Sequence, residues 1–319
     1  MSILGVDIGY GFTKSYYCDN SSDQKCHLDI FPTAVSKFLP KITFADKTVA
    51  VKVNGEEFSL AESALREGSG LINTRRRDFV GSKAYFAVMG LSLLRTIRNP
   101  QTLVLGLPPG QYSKEHTELL TRRLRSIELS LSTDGSENQH LVMPKTIAFI
   151  PQGAGIFFAY IRGGHNFDYQ KNVAVLDIGY YTLDMLFFVN GRYIEKSARS
   201  YPFGVCEIYE QAKKMFYQEH KIFIKSDKSV DNLLRGNRIE IAGRSYALNI
   251  KRIVDSYTAQ VLSVIESYIE EIPDEAEILI AGGGGVKFLD RTSLKYELRV
   301  VPQPQFSNAK GFYEYGKSL

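Results

Sequence analysis

One short pattern occurs twice in this chain, and it constrains the fold more than any other feature. The segments VDIGYGFTK at 6–14 and LDIGYYTLD at 176–184 each place an aspartate at the end of an apolar run, with a glycine two residues later. Each segment predicts a strand, a tight turn and a second strand, because glycine adopts the backbone conformations of tight turns that strain other residues. The copies lie in different halves of the chain, so we expect two related halves.

The residue types in these turns suit phosphate binding. Successive N–H groups of a tight glycine turn point toward one anion, and a β- or γ-phosphate would accept their hydrogen bonds. Asp7 and Asp177 would repel phosphate directly, but they suit Mg²⁺, which bridges phosphate oxygens and keeps several waters. Lys14, across the hairpin from Asp7, can place a positive charge on the phosphates. The pair of turns predicts a nucleotide in a cleft between two domains, with two ordinary glycine hairpins as the alternative.

A third element is the segment PQGAG at 151–155, at a predicted strand-to-helix junction. Its small residues allow close helix packing, which needs no ligand. The side-chain amide of Gln152 both donates and accepts, so it can orient a water in line with a γ-phosphate. Together with the two hairpins, this indicates that Gln152 positions the attacking water.

A fourth element is the glycine loop in ILIAGGGGVKF at 278–288. It does not match the dinucleotide-binding pattern G-x-G-x-x-G, so it predicts a base or ribose lying on Gly282–Gly285. The residues Gly311, Gly316, Lys317 and Ser318 match the P-loop spacing, but only one residue follows Ser318. A P-loop needs a helix after it, so we interpret this match as chance.

Composition and charge narrow the class of protein. The 319 residues are 44% hydrophobic and 23% charged, which is typical of a globular chain of two domains. No apolar run of about 18 residues occurs, and the first residues resemble a strand rather than a signal peptide, so we expect a cytoplasmic protein. The net charge of +4 does not indicate nucleic acid. The clusters at 75–77 and at Arg122, Arg123 and Arg125 are solvated faces or contacts to an acidic partner or neighbouring subunit.

The cysteines give no sign of a special site. Cys18, Cys26 and Cys206 are odd in number and form no C-x-x-C pair, so neither a disulfide framework nor a zinc site is indicated. We expect small buried or half-buried residues in a reducing compartment.

Periodicity and turn residues predict the other elements. Asn54-Gly55 and Asn190-Gly191 predict hairpin turns, and Ser113 predicts a helix N-cap. Residues 131–140 predict an exposed hairpin loop, and Gly163-Gly164 the crossing between domains. The predicted strands are 3–8, 12–17, 49–53, 56–60, 102–108, 141–150, 172–179, 182–189, 239–248 and 277–282, and the predicted helices are 83–97, one following Ser113, 151–162, 205–219, 255–272 and 306–317.

The order of the motifs resembles a known superfamily. The series D-x-G, P-Q before a central helix, D-x-G-x-x-T-x-D and a late G-G-G resembles that of actin, sugar kinases and heat-shock chaperones. Within it the chain looks most like the ParM-type (StbA-like) actin-like proteins of bacteria and archaea, which segregate plasmids. VNGEEFSLAESAL, GLPPGQY and QFSNAKGFYEYG resemble the small-subdomain hairpin, a strand-to-loop segment and the closing helix of that group.

The resemblance implies an α/β chain with an actin-like fold. Two ribonuclease-H-like domains would enclose a nucleotide cleft. Domain I would span 1–163, with a small subdomain at about 30–100, completed by a C-terminal helix at 303–319. Domain II would span 164–302.

The resemblance also implies roles for individual residues. Asp7 and Asp177 would hold Mg²⁺ through water, and Gln152, Asp177 and Asp184 would be catalytic. Gly204 would start the helix that borders the adenosine, with Glu207 a candidate ribose contact. The implied nucleotide-binding residues are Asp7, Gly9, Gly11, Phe12, Thr13, Lys14, Gly179, Tyr180, Tyr181, Thr182, Gly204, Glu207, Gly282, Gly283, Gly284 and Gly285.

Some residues depart from the family pattern. Tyr10, Tyr180 and Tyr181 stand where relatives often have Gly, Ser or Thr, so these side chains must point away from the phosphates or narrow the site. Gln152 replaces the commoner Glu of bacterial relatives, and we expect slower hydrolysis as a result.

The implied function is an ATPase that binds ATP or ADP with Mg²⁺ and polymerises head-to-tail. Such a contact is heterologous and does not close, so it extends into a filament. A DNA-binding adaptor would link the filament to a plasmid centromere, with no direct contact to nucleic acid or membrane. The alternatives are a small-molecule kinase for a sugar or acid, and a cytoskeletal filament with another role. The choice between ATP and GTP stays open.

Overall fold

The computed structural model describes residues 2–19, 25–38, 49–67, 70–97, 99–133, 139–163 and 167–319. The chain divides into two compact units. Unit 1 consists of Met1–Phe167 and Val301–Leu319, and unit 2 of Asp168–Val300. The predicted crossing at Gly163-Gly164 extends beyond the described residues, because Gly164 lies outside them.

Strands and helices alternate along the chain. The strands are β1 Ile3–Ile8, β2 Phe12–Cys18, β3 Cys26–Pro32, β4 Val35–Lys37, β5 Val49–Val53, β6 Glu56–Leu60, β7 Thr102–Leu107, β8 Leu129–Thr133, β9 Gln139–His140, β10 Thr146–Pro151, β11 Val173–Ile178, β12 Leu183–Val189, β13 Arg192–Tyr193, β14 Arg199–Tyr201, β15 Ile239–Ile241, β16 Arg244–Tyr246, β17 Ile278–Gly282 and β18 Leu298–Val300. The α-helices are α1 Ala61–Glu67, α2 Lys83–Arg95, α3 Lys114–Ser126, α4 Ala154–Ile161, α5 Val205–His220, α6 Asp227–Leu234, α7 Lys251–Glu271 and α8 Ser307–Gly316.

The main sheet of unit 1 has the strand order β10-β7-β1-β2-β3. β10, β7 and β1 are parallel, and β2 and β3 continue the sheet antiparallel. Every residue of β1 is buried, as expected for a strand covered on both faces. Asp7 lies near the end of β1, on the side of the sheet where the parallel strands β7 and β10 also end.

The C-terminal helix α8 is an integral part of unit 1. It packs on β1, β7 and α4. A Cβ on Gly311 would overlap the carbonyl oxygen of Gly155, so these glycines let α8 and α4 approach closely. The Asn308 side chain accepts a hydrogen bond from the Gly153 N–H at 2.9 Å, which fixes the start of α4.

A second sheet in unit 1 has the order β4-β6-β5-β8-β9. The turn between β5 and β6 has φ of 46° at Asn54 and 80° at Gly55, which confirms the predicted turn. Helix α2 packs on β5 and β6. The predicted loop at 131–140 includes the paired strand ends Leu131 and Gln139, while 134–138 lie outside the described residues.

Unit 2 repeats the sheet topology of unit 1. Its order is β13-β12-β11-β17-β18, with β14 paired to β12. β11, β17 and β18 are parallel, and β12 and β13 are antiparallel extensions. The sequence of two parallel and two antiparallel pairings is therefore the same in both units, which confirms the prediction of two related halves. Helices α5, α6 and α7 contribute buried side chains to the core of unit 2.

Two expectations about secondary structure need correction. The predicted helix at 151–162 begins at Ala154, because Pro151 still pairs with Leu107 in the sheet. Residues 239–248 form the hairpin β15–β16 rather than one strand. Its turn residue Ala242 has a φ of 49°.

The expectation that no disulfide forms is wrong for two of the cysteines. Cys18 and Cys26 are bonded, because they face each other at the end of the β2–β3 hairpin. Counting cysteines misses this pair, since it is the strand register that brings them together. Cys206 is not part of a disulfide. Among the described residues, no helix is long and apolar enough to cross a membrane.

Candidate functional site

The first half-site is the end of the β1–β2 hairpin in unit 1. Asp7 and Lys14 are register partners, and the Lys14 Nζ lies 3.1 Å from Asp7 Oδ2. Gln152 Nε2 donates to Asp7 Oδ1 at 2.8 Å and to the Ile8 carbonyl at 3.3 Å. Asp7 is only 4% exposed, and a buried carboxylate needs such partners. Both N–H groups of the Gln152 amide are therefore engaged, which leaves its oxygen as an acceptor.

The tip of this hairpin is fixed by residues from other parts of unit 1. The Thr33 N–H donates to the Gly11 carbonyl at 3.0 Å, and the Thr74 hydroxyl donates to the Tyr10 carbonyl at 3.0 Å. The buried Thr13 hydroxyl lies 2.8 Å from the Thr33 hydroxyl, so Thr13 stabilises the hairpin from inside. Phe12 is 37% exposed.

The hairpin tip leaves no room for a side chain at position 9. A Cβ at Gly9 would lie 2.9 Å from the Phe12 carbonyl oxygen and 3.2 Å from Lys14 Nζ. A side chain there would press on the amine that neutralises Asp7. The glycine is thus required for packing even without a ligand.

The second half-site is the end of the β11–β12 hairpin in unit 2. Asp177 and Asp184 are register partners, and each is 6% exposed. The Thr182 hydroxyl donates to Asp184 Oδ2 at 3.0 Å, and the Gly179 N–H donates to the Thr182 carbonyl at 2.8 Å. Two carboxylates thus stand where the first half-site has a carboxylate and an amine.

The turn of the second half-site packs on the start of α5. The Cys206 N–H donates to the Tyr180 carbonyl at 2.8 Å. A Cβ on Gly204 would lie 2.6 Å from that same carbonyl oxygen, so glycine is needed for this close approach. Glu207 lies in the first turn of α5 and is exposed. The start of α5 therefore lies against the turn, and the roles of Gly204 and Glu207 toward a nucleotide stay predictions.

The tyrosines of this turn have their own partners in unit 2. The Tyr180 hydroxyl donates to Asp227 Oδ2 at 2.8 Å, so its side chain points toward α6. The Tyr181 ring packs edge-on against the Tyr180 ring, with 4.7 Å between centroids. Burial first, and then the hydrogen bond to Asp227, raise the pKa of Tyr180 far above its ordinary value. Tyr180 therefore keeps its proton and acts as a donor.

The glycine loop packs directly against the second half-site. Gly283 has a φ of 84°, and a Cβ there would lie 2.5 Å from Asp177 Oδ1. A Cβ on Gly285 would overlap the Ile178 side chain. Gly282 ends β17 opposite Asp177, and Gly284 starts the 3₁₀ helix Gly284–Phe288. Packing alone thus accounts for Gly283 and Gly285.

An ion-pair cluster beside this loop was missed by the sequence analysis. Asp231 on α6 accepts from Lys287 Nζ at 3.0 Å, from Arg235 Nε at 2.6 Å and from the Tyr209 hydroxyl at 2.9 Å. Burial acts to raise the pKa of Asp231, but the hydrogen bonds from Lys287, Arg235 and Tyr209 prevail and lower it. The cluster joins α5, α6 and the glycine loop. In the sequence, only the i, i+4 spacing of Asp231 and Arg235 indicated an ion pair here.

Other sequence features do not join either half-site. Gly311 and Gly316 lie within or at the end of α8, which confirms that the P-loop match is chance. Arg76 pairs with Asp78 at 2.7 Å, and all three arginines at 75–77 are exposed. Arg123 and Arg125 donate to backbone carbonyls of unit 1, namely those of Gly81 and Lys145.

The donor set of each half-site fits Mg²⁺ held through water. Asp7 and Asp177 supply buried carboxylate oxygens at strand ends, and oxygen is the donor that this hard cation prefers. The glycine at 283 keeps the space beside Asp177 Oδ1 free of a side chain.

Comparison with known proteins identifies the family. The model for the N-terminal domain of actin-like proteins matches residues 5–155, and the model for the C-terminal domain of archaeal MreB-like actin homologues matches residues 175–295. The two matches together extend over most of the chain. The chain belongs to the actin-like proteins. The first match contains Asp7, Lys14 and Gln152, and the second contains both halves of the β11–β12 hairpin and the glycine loop.

Solved structures show the same fold. The archaeal actin homologue Ta0583 has a TM-score of 0.79 at 19% identity, with all of both chains covered. Its complex with ADP has a TM-score of 0.76 at 18% identity, covering 100% of this chain and 99% of that one. ParM from a 15-stranded Clostridium botulinum filament has a TM-score of 0.73 at 19% identity, with the same coverage. The comparison with curated proteins finds no match.

This actin-like protein therefore has the predicted α/β actin-like fold. The structure brings the predicted residues of each unit together at one sheet edge: Asp7, Gly9, Gly11, Lys14 and Gln152 in unit 1. In unit 2 it brings together Asp177, Asp184, Thr182, Gly204 and Gly283. The partners at Thr33, Thr74, Asp227 and Asp231 are additions, since their pairing depends on contacts far apart in the sequence.

Proposed function

We propose that this actin-like protein binds ATP with Mg²⁺, hydrolyses it and polymerises into nucleotide-dependent filaments. The observation that carries the proposal is the repeated hairpin. Each unit ends two antiparallel strands in a glycine turn with a buried aspartate at the same register position. One such turn would be ordinary, but the pair supplies the anion-binding N–H groups and metal-associated carboxylates that a nucleoside triphosphate requires.

In this proposal the first half-site binds phosphate. Lys14 is 16% exposed at its side chain and pairs with the nearly buried Asp7, so its amine can shift toward an incoming phosphate without a large movement. The turn at Gly9–Gly11 adds backbone N–H groups. Gln152 keeps Asp7 in place and offers its amide oxygen to a water.

The second half-site supports the attack of water. Asp177 and Asp184 are buried neighbours, and a carboxylate within reach of a water accepts its proton as the oxygen attacks. When bound, Mg²⁺ would neutralise charge that develops on the phosphate oxygens. Gln152 in place of an acid supplies orientation but no charge, from which we expect slow hydrolysis.

The proposal for polymers comes from the relatives. A ParM of the same fold forms a 15-stranded filament, and a non-polymerisable quadruple mutant of pCBH ParM shares the fold too. We propose head-to-tail self-assembly for this chain, with plasmid DNA as cargo through a DNA-binding adaptor. The chain itself would contact neither DNA nor membrane. Plasmid retention in cells that carry or lack the gene tests the cargo.

The experiment combines light scattering with phosphate release. Purified protein is mixed with ATP·Mg²⁺, ADP·Mg²⁺ or GTP·Mg²⁺ and no other substrate. The proposal predicts scattering with ATP that decays as phosphate appears, and little scattering with ADP. No ATP-dependent scattering at high protein concentration, together with phosphate transfer to an added sugar or acid, would contradict the proposal in favour of a kinase.

A further inference from the structure

The backbone at the tip of the first hairpin is held from outside by a side chain 64 residues away. The Thr74 hydroxyl donates to the Tyr10 carbonyl at 3.0 Å. Thr74 is 8% exposed, so this hydrogen bond is shielded from water. A hydrogen bond shielded from water contributes more to fixing its acceptor than one that water can replace.

This hydrogen bond fixes the direction of the next N–H group. A peptide unit is planar and trans, so the carbonyl of Tyr10 and the N–H of Gly11 lie in one plane and point in opposite directions. With the carbonyl turned toward Thr74, the Gly11 N–H is directed away from it. In the described part of the chain this N–H has no acceptor. An unpaired backbone donor at the turn of a phosphate hairpin is what an anion would satisfy.

Thr74 is itself held in place by its neighbours. The Ile72 N–H donates to the Val35 carbonyl at 2.8 Å, and Leu71 forms a bridge with Ser36. The Asn73 side chain accepts from the Arg75 N–H at 3.0 Å, which fixes the chain on the other side of Thr74. The segment that carries Thr74 is thus anchored on both sides. If the Thr74 hydroxyl is removed, this segment is not free to move another donor to the Tyr10 carbonyl.

We propose that Thr74 is a positioning residue for phosphate binding. It acts through the Tyr10–Gly11 peptide and touches no nucleotide itself. Without this hydrogen bond the Tyr10–Gly11 peptide could rotate. In a fraction of the molecules the Tyr10 carbonyl would then face the phosphate, and a carbonyl oxygen repels an anion. The inference rests on the proposed binding of ATP and adds a residue that the hairpin motif does not contain.

The test is a comparison of Thr74→Val with Thr74→Ser. Valine keeps the shape and removes the donor, whereas serine keeps the donor. Thr121→Val is the matched control, because the Thr121 hydroxyl donates to the Thr117 carbonyl at 2.8 Å within α3. Calorimetric titration measures the Kd of each variant for ATP, ADP and adenosine, and thermal unfolding without ligand reports the stability of the fold.

We expect Thr74→Val to weaken ATP and ADP binding by about 3- to 10-fold, the effect of one hydrogen bond. Adenosine binding stays unchanged because adenosine carries no phosphate. Thr74→Ser and Thr121→Val bind like the wild type. An equal loss for adenosine would show a merely structural role and overturn the inference, as would wild-type ATP affinity in Thr74→Val.

The test separates this inference from the proposed function. If the wild-type chain binds neither ATP nor ADP, the proposed function fails and the role of Thr74 fails with it. If the wild type binds and Thr74→Val binds equally well, only the role of Thr74 fails. Should Thr74→Val fail to fold, Thr74→Ala removes the same donor, and the same comparison with adenosine applies.

Discussion

The two hairpins of this actin-like protein have the same strand pairing but differ in the residue opposite the aspartate. In the first, Asp7 faces Lys14, and in the second Asp177 faces Asp184. A carboxylate opposite an amine forms a neutralised pair that can turn its positive charge to a phosphate. Two buried carboxylates instead concentrate negative charge where a proton acceptor or a hydrated cation is useful. This difference is the basis for the proposal that the first hairpin binds phosphate and the second supports the attack of water.

The two hairpins are also supported differently. Side chains of Gln152 and Thr74 and the Thr33 N–H hold the backbone carbonyls of the first turn, all from unit 1. The second turn is held by the start of α5, and its Tyr180 hydroxyl donates to Asp227 on α6. The first turn is thus fixed mainly by side chains, and the second by backbone N–H groups at the start of α5. The second turn also contacts the ion-pair cluster of Asp231, because the Tyr180 ring packs edge-on against the Tyr209 ring.

The largest effect is expected for Asp177→Asn. The substitution keeps the size of the side chain but removes the charge that accepts a proton from water. We expect the rate of phosphate release to fall by about 100-fold or more, since general base catalysis contributes on that order. The Kd for ATP should change by about threefold at most. Asp255→Asn, at an exposed pair with Lys251, is the control. A large loss of affinity for ATP with normal turnover at saturation would show that the second hairpin binds ATP rather than supporting hydrolysis, and would contradict the proposal.

The next effect is expected for Lys14→Ala. A charge-assisted hydrogen bond contributes about 1.5–3 kcal/mol, so the Kd for ATP should rise by about 10- to 100-fold. Turnover of bound ATP should stay near the wild-type value. Lys317→Ala, which removes an exposed amine paired with Glu314, serves as the control. Nucleotide titrations followed by single-turnover assays measure both quantities. Unchanged affinity would remove Lys14 from the phosphate site.

Gly283→Ala tests the packing of the glycine loop on the second hairpin. Its positive φ and the 2.5 Å approach of a Cβ to Asp177 Oδ1 both disfavour alanine, so we expect a loss of about 2–3 kcal/mol in unfolding free energy. Gly243→Ala is the control, because Gly243 has a φ of 74° with open space around it. Denaturant unfolding compares the two. Equal losses would mean that backbone strain alone, rather than contact with the Ile178 carbonyl and Asp177, requires glycine.

The disulfide distinguishes the first hairpin from the second. Strand β2 is bonded to β3 through Cys18 and Cys26, whereas β12 carries no cysteine. Replacing both cysteines by serine should lower the unfolding free energy by about 2 kcal/mol, because the link restricts the unfolded chain. The Kd for ATP should not change, since the bond lies at the far end of β2 from Lys14. Equal stability of the wild type with and without reductant would contradict this expectation.

The smallest effect is expected for Asp231→Asn. The pKa of Asp231 is lowered in the folded chain, so its ion pairs stabilise the fold above about pH 4 and this contribution is lost as the pH falls through the folded-state pKa. The cost at pH 7 should be about 1 kcal/mol or less, because the pairs are partly exposed. Urea unfolding at pH 7 and pH 3 measures it. A difference from wild type that grows toward acid would contradict the assignment.

The sequence predicts the fold well where the signals are local. Asn54-Gly55, Ser113 and both D-I-G-Y turns lie where the turn and cap residues indicate. Burial of whole strands such as β1 and β11 makes their apolar runs unambiguous. The duplicated motif then fixes the class of fold, since each copy sits at the same place in the same sheet topology.

The sequence fails where contacts join distant residues. No spacing connects Thr74 with Tyr10, or Asp227 with Tyr180, because each pair is set by the packing of separate elements. The Cys18–Cys26 bond depends on the register of β2 and β3, which a count of cysteines does not contain. The glycines at 283 and 285 were assigned to a ligand alone, although their close packing on β11 already requires them.

One measurement tests the division of tasks between the hairpins most directly. Single-turnover phosphate release is followed on the wild type, Lys14→Ala and Asp177→Asn, each with ATP·Mg²⁺ saturating for that variant. We expect that Lys14→Ala, once saturated, releases phosphate at a rate close to wild type, while saturated Asp177→Asn releases almost none. If saturation fails to restore Lys14→Ala, or if Asp177→Asn turns over normally, the two hairpins do not divide binding and hydrolysis in this way.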